Sequence, residues 1–172
     1  MTISRRTFLA RGIGASSLML FSPFQMTAIA GPQEDKAPLD RMIVEEFVRV
    51  AHSDLDKVKA MLEETPHLLS AAWDWKQGDF ETAIGAAGHM GLKDTANYLI
   101  EKGARFDIFV LTMLGKTDIV KSLLELYPHL LHAIGPHGFT LLHHAKQGGD
   151  DAGELQEYLL SKGLTETFIK TF

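Results

Sequence analysis

The sequence predicts an all-α fold, a solenoid of about four helix pairs with two long finger loops. Three observations lead there. Apolar residues recur at three- and four-residue intervals along most of the chain after residue 40, as the buried stripe of a helix requires. A helix-like segment with a leucine eight residues in occurs four times. No long stretch alternates apolar and polar residues in the manner of an ordinary half-buried strand.

The first thirty residues stand outside this pattern. "SRRTFLARGIGASSLMLF" opens on Arg5, Arg6 and Arg11, runs into a modestly apolar stretch, and is followed by "AIA" at Ala28–Ala30. A basic start, a short apolar middle and small residues before a break describe an export signal. Ser4-Arg5-Arg6-Thr7-Phe8-Leu9 resembles the twin-arginine (Tat) motif, with Ala10 where that motif often has Lys. An ordinary Sec signal that happens to carry two arginines is the other reading. The apolar stretch is too short and too rich in Gly and Ser to favour a membrane span. Either route implies a periplasmic or secreted protein, with no membrane association beyond retention of an uncleaved signal.

Residues 31–39, "GPQEDKAPL", carry Pro near both ends and charges between them, and read as a linker. The whole chain has a formal net charge of −5, and residues 1–30 hold three arginines and no acid, so the remainder is more acidic still. That balance argues against nucleic-acid partners and anionic membrane surfaces. Cysteine is absent. Disulfides, thiolate metal sites and a cysteine nucleophile are thereby excluded, and the core must hold by packing.

From residue 40 the elements come in order. "MIVEEFVRVA" sets Ile43, Val44, Phe47, Val48 and Ala51 on one helical stripe, and "DLDKVKAMLEE" does the same with Leu55, Val58, Met61 and Leu62. The four recurring segments start at Asp54, Gly91, Gly115 and Asp151, and align Leu62, Leu99, Leu123 and Leu159 at spacings of 37, 24 and 36 residues. "LIEKG" at 99–103 and "LLSKG" at 159–163 match best. A unit recurring every thirty-odd residues is the mark of a stacked repeat. The tetrapeptide Pro-His-Leu-Leu occurs at Pro66–Leu69 and again at Pro128–Leu131. Each copy closes an outer helix and opens a long finger. Between Gly103 and Gly115 there is no room for a finger, so Asp107 is expected to cap an inner helix directly.

Before the second and fourth outer helices stand "TAIGAAGHMG" and "TLLHHAKQGG". Each begins with Thr (Thr82, Thr140), reaches Ala five residues on (Ala87, Ala145), and Gly four after that (Gly91, Gly149). This resembles the ankyrin repeat, whose signature is Thr-Pro-Leu-His-x-Ala followed by Gly and a second helix. Thr140 to Ala145 departs from it only at Leu141, where Pro is usual; Thr82 to Ala87 lacks both Pro and His. The first and third units keep the helix pair without the Thr-initiated motif. The resemblance implies an ankyrin-repeat domain over residues 40–172. It also implies that His143 hydrogen-bonds the backbone of a neighbouring finger.

Eight histidines raise the question of a metal. His129 and His132 are three apart, His143 and His144 adjacent, and His137 lies between those pairs. No paired acid-and-His spacing of a metalloenzyme helix is present, so the set is read as structural or surface, with no metal and no cofactor. Ser53, Ser70, Ser122 and Ser161 lie in no nucleophile-elbow context, and "GIGAS" falls inside the export signal. No catalytic residue is expected and the chain does not read as an enzyme.

"WDWKQGDF" and "GPHGF" are the two finger tips. Trp73 and Trp75 fall on one face of the first hairpin, with Phe80 close behind; His137 and Phe139 belong to the second. Such residues serve equally as packing under a loop or as a contact surface. The missing third finger should leave a notch between the other two. Ankyrin-like arrays generally bind other proteins, so the expected function is an exported protein-binding module acting as scaffold, inhibitor or protector. Its surface is centred on Trp73, Trp75, Phe80, His137 and Phe139, and the protein is expected to be a monomer. The alternative is a small periplasmic metal- or cofactor-binding protein or enzyme exported folded by Tat.

Overall fold

A computed structural model describes residues 37–170. The export signal read at 1–30 and most of the linker read at 31–39 lie outside the described residues. Residues 37–170 are mostly helical, as expected, with minor strand.

Eight α-helices run through the described residues: α1 (Arg41–Val50), α2 (Leu55–Glu64), α3 (Ala83–His89), α4 (Lys93–Glu101), α5 (Ile108–Met113), α6 (Thr117–Leu126), α7 (Leu141–Gly148) and α8 (Gly153–Ser161). Each odd-numbered helix packs on the even-numbered helix that comes after it, and the odd-numbered helices pack on one another in chain order. Ala86, Ala87 and Ala145 are fully buried. Their short side chains let these inner helices approach closely.

Side chains start several of the helices by satisfying amides that have no partner in the first turn. Asp40 accepts from the Met42 N–H at 2.7 Å and Asp54 from Lys57 at 2.9 Å. Asp107 accepts from Phe109 at 3.0 Å and Val110 at 3.1 Å, the cap the sequence places there. The two threonines matched in sequence differ in use. Thr82 caps α3 through Gly85 at 3.2 Å, whereas the Thr140 hydroxyl donates to the Glu166 carbonyl at 2.6 Å and ties down the C-terminal segment.

The core is formed by two apolar clusters. Phe47, Val48, Leu68, Leu99 and Met113 anchor the first; Val120, Leu141, Leu142, Leu155 and Leu159 anchor the second. Two details of the sequence reading change. Ile43 is 43% exposed while Val50 is buried, so the inward stripe of α1 is rotated toward its C-terminal end. In the third unit Leu124, not Leu123, enters the core. The buried pairs Val58/Leu62 and Val120/Leu124 share the 62-residue offset of the two Pro-His-Leu-Leu copies, so α2 and α6 correspond in that register.

Gly115 shows how tightly neighbouring units meet. Its φ is +63°, and a Cβ there would lie 2.0 Å from the Asp151 carbonyl oxygen. Gly103, with φ +92°, has nothing within 4 Å of such an atom; it needs glycine for backbone freedom alone.

Both Pro-His-Leu-Leu copies form a short 3-10 turn, Pro66–Ser70 and Pro128–His132, and each leads into a finger. In the first finger β1 (Ala72–Asp74) pairs antiparallel with β2 (Phe80–Thr82), with Trp73 opposite Glu81 and Asp74 opposite Phe80. The second is held by a single bridge, Ile134 to Thr140, and turns at Pro136–Gly138. The C-terminal segment lies along it: the Thr140 N–H donates to the Thr167 carbonyl at 3.1 Å, and the Ile169 N–H to Gly138 at 2.8 Å. No finger precedes α5. No helix among the described residues is long and apolar enough to cross a membrane.

Candidate functional site: a buried histidine and glutamate cluster

Strand alternation turns Trp73 and Glu81 toward the core and Asp74 and Phe80 toward solvent. Glu81 therefore sends a carboxylate inward, 1% exposed, on the inner side of the first finger. Three imidazoles meet it. His52 stands in the turn after α1, His89 ends α3, and His137 reaches over from the second finger.

The distances are short. His89 Nε2 lies 2.9 Å from Glu81 Oε1, His137 Nε2 3.3 Å from Oε2, and His52 Nε2 3.4 Å from Oε2. The Nε2 atoms of His52 and His89 are 3.2 Å apart. One ligand atom from each of the four residues falls within 4.8 Å of every other. Despite this proximity, Glu81 Oε1 has no aligned hydrogen-bond partner, while Oε2 accepts from Trp75 Nε1 at 2.7 Å.

Surrounding groups orient the rings. His52 Nδ1 lies 3.0 Å from the Val48 carbonyl and 3.2 Å from that of Arg49. Carbonyls only accept, so Nδ1 carries the proton. His137 Nδ1 lies 3.0 Å from Asp79 Oδ2, and the His137 N–H donates to Oδ1 of the same carboxylate at 2.9 Å. Both rings, when neutral, thus point an Nε2 lone pair at Glu81.

This crowding sets the electrostatics. Burial pushes the Glu81 carboxyl up, but His52, His89 and Trp75 together outweigh it and hold it well below the usual carboxylate range. The Glu81 carboxylate in turn raises the His52 ring above its ordinary value, against the effect of burial. Asp79 and Glu81 have no Lys or Arg partner among the described residues; their only ion-pair contacts are histidines.

No family model matches the chain. Among curated proteins it is similar to alpha-latrocrustotoxin-Lt1a of Latrodectus tredecimguttatus, 32% identical over 117 residues, which covers 63% of this chain and 8% of the toxin. The chain thus spans a small fraction of that relative's length. No solved structure matches.

Of the five residues read as a contact surface, Phe80 is openly exposed, at 63%. Trp73 and Trp75 pack against the first core cluster, with the Arg41 guanidinium 5.6 Å from the Trp73 ring centre. Phe139 stacks on His143 at 4.0 Å between ring centres, and His137 belongs to the cluster. His143 does bond backbone, but its partner is the His89 carbonyl at the end of α3, 2.8 Å away, rather than a finger. His67, His129 and His132 are exposed.

Sequence reasoning missed His52, Glu81 and His89 as a group. One signal was present: His52 and His89 are 37 residues apart, the spacing of Leu62 and Leu99. Equivalent positions of stacked units become neighbours in space. Glu81 carried no such mark, since only its burial distinguishes it from a surface acid.

Proposed function

We propose that the chain is an exported ankyrin-like repeat solenoid that binds another protein, without catalysis, as scaffold, inhibitor or protector. Its docking site is the cleft between the two fingers. The Thr-initiated motifs, the four helix pairs and the two fingers support the ankyrin-like reading; the twin-arginine-like start supports export.

The observation that carries the reading is the cleft itself. Where the third unit lacks a finger, a recess of about 400 Å³ is lined by Phe80, Thr82, Asp107, Phe109, Ile134 and Pro136. Phe80 and Ile134, on opposite fingers, are 63% and 42% exposed. Apolar groups held by a rigid frame lose little entropy on binding, which suits a short apolar segment of a protein partner. The expected partner sits in the periplasm or outside the cell.

Affinity capture from periplasmic extract tests this, with wild-type protein, Phe80→Ala and Lys121→Ala as baits. A partner retained by wild type and Lys121→Ala and lost from Phe80→Ala supports the site. Equal retention by both variants moves the surface elsewhere, and capture of nothing removes the reading.

A further inference from the structure

We propose that His52, Glu81, His89 and His137 form a tetrahedral site for a divalent transition-metal ion, zinc above all. The inference is independent of whether a protein docks in the cleft.

The geometry is the first argument. Zinc takes imidazole nitrogen and carboxylate oxygen at about 2.0–2.1 Å, which sets neighbouring ligand atoms of a tetrahedron roughly 3.3 Å apart. With Glu81 Oε2 as the carboxylate ligand, three contacts between ligand atoms measure 3.2, 3.3 and 3.4 Å, and His89 Nε2 lies 2.9 Å from the other oxygen of the same carboxylate. The remaining pairs lie within 4.8 Å of one another, a modest closing away from that spacing.

Proton accounting is the second. His52 and His137 commit Nδ1–H to oxygens outside the cluster, so their neutral rings offer only lone pairs within it. One proton can serve the 3.2 Å contact between His52 and His89. It leaves His137 Nε2 facing a carboxylate and Glu81 Oε1 without a donor. A cation at the centre satisfies all of these groups at once.

Charge is the third. Glu81 and Asp79 are two buried carboxylates with no Lys or Arg beside them among the described residues, and a divalent ion neutralises the pair. Asp79 would act on the metal through His137, as a carboxylate behind a metal-bound imidazole does. The donor set, nitrogen and oxygen without thiolate, selects zinc-like ions over Mg²⁺ and Ca²⁺, which prefer all-oxygen shells. Because its ligands come from segments far apart in sequence, the ion would lock the second finger against the first.

The test uses the full chain, stripped with chelator and dialysed against zinc alone, then cobalt(II) alone. One zinc per chain is expected, with the visible absorption of tetrahedral cobalt(II). His137→Ala, at the half-exposed finger tip, removes a ligand and should weaken zinc by more than Asp79→Ala, which should cost roughly 10- to 100-fold. Glu81→Gln should also fail to bind, provided its circular dichroism in chelator matches wild type; if it does not fold, His137→Ala decides. The double variant His129→Ala with His132→Ala should bind as wild type. Absence of stoichiometric zinc, an octahedral cobalt spectrum, or wild-type affinity in His137→Ala would overturn the site.

Discussion

His137 holds Asp79 twice: its backbone N–H reaches Oδ1 at 2.9 Å and its ring Nδ1 reaches Oδ2 at 3.0 Å. The two residues are 58 apart in sequence and sit on different fingers. Bonds to a buried carboxylate contribute more than neutral ones. Asp79→Ala should therefore lower unfolding free energy by about 2 kcal/mol in a denaturant melt run in chelator. No change in midpoint would mean that the fingers meet without holding each other.

His143→Ala removes the bond to the His89 carbonyl and the stack on Phe139. The His89 carbonyl is left short of a donor, and the expected loss is roughly 1–3 kcal/mol. His129→Ala, an exposed site, should be nearly neutral in the same melt.

Gly115→Ala and Gly103→Ala separate two reasons for glycine. Both have positive φ, so each should cost about 1–2 kcal/mol from backbone conformation. Only at Gly115 would the added Cβ also run into a backbone carbonyl, that of Asp151, and overpacking adds roughly 1–3 kcal/mol more. A thermal melt that ranks the two equally would refute the close contact between the α5–α6 turn and Asp151.

Burial holds the His144 ring down at about 4. The unfolded ring takes a proton near its ordinary value of about 6.5, so stability is full above that pH and falls as pH drops toward 4. Between pH 7 and pH 5 this ring should remove about 2 kcal/mol. His144→Leu should show a shallower fall over the same window in parallel urea melts. Identical slopes would place the ring's proton acceptance outside that range.

How much of this was legible depends on what each residue's position is decided by. The helices, the Asp107 cap and the missing third finger follow from local spacing, and the structure contains them. The inward turn of Trp73 and Trp75 was half legible: period-two alternation put both rings on one side, but only tertiary packing says which side faces the core. The Leu123 alignment failed because several leucines on α6 fit a helical stripe equally well, and packing within the second core cluster chooses Leu124. The histidine and glutamate cluster was hidden because its members belong to separate segments, and no local rule carries a link from residue 52 to residue 137.

The reach of the second finger to the first also changes how the molecule should come apart. In a stack where each helix pair touches only its neighbours, the ends fray first and amide exchange grades smoothly from the middle outward. Here residues on either side of a fingerless unit are joined directly, through His137 and Asp79 and through His137 and Glu81. Peeling the first helix pair away uncovers His89 and Glu81, and with them the seat of the last finger. Slow amide hydrogens should accordingly be shared between the first and fourth units, and both should open in one step.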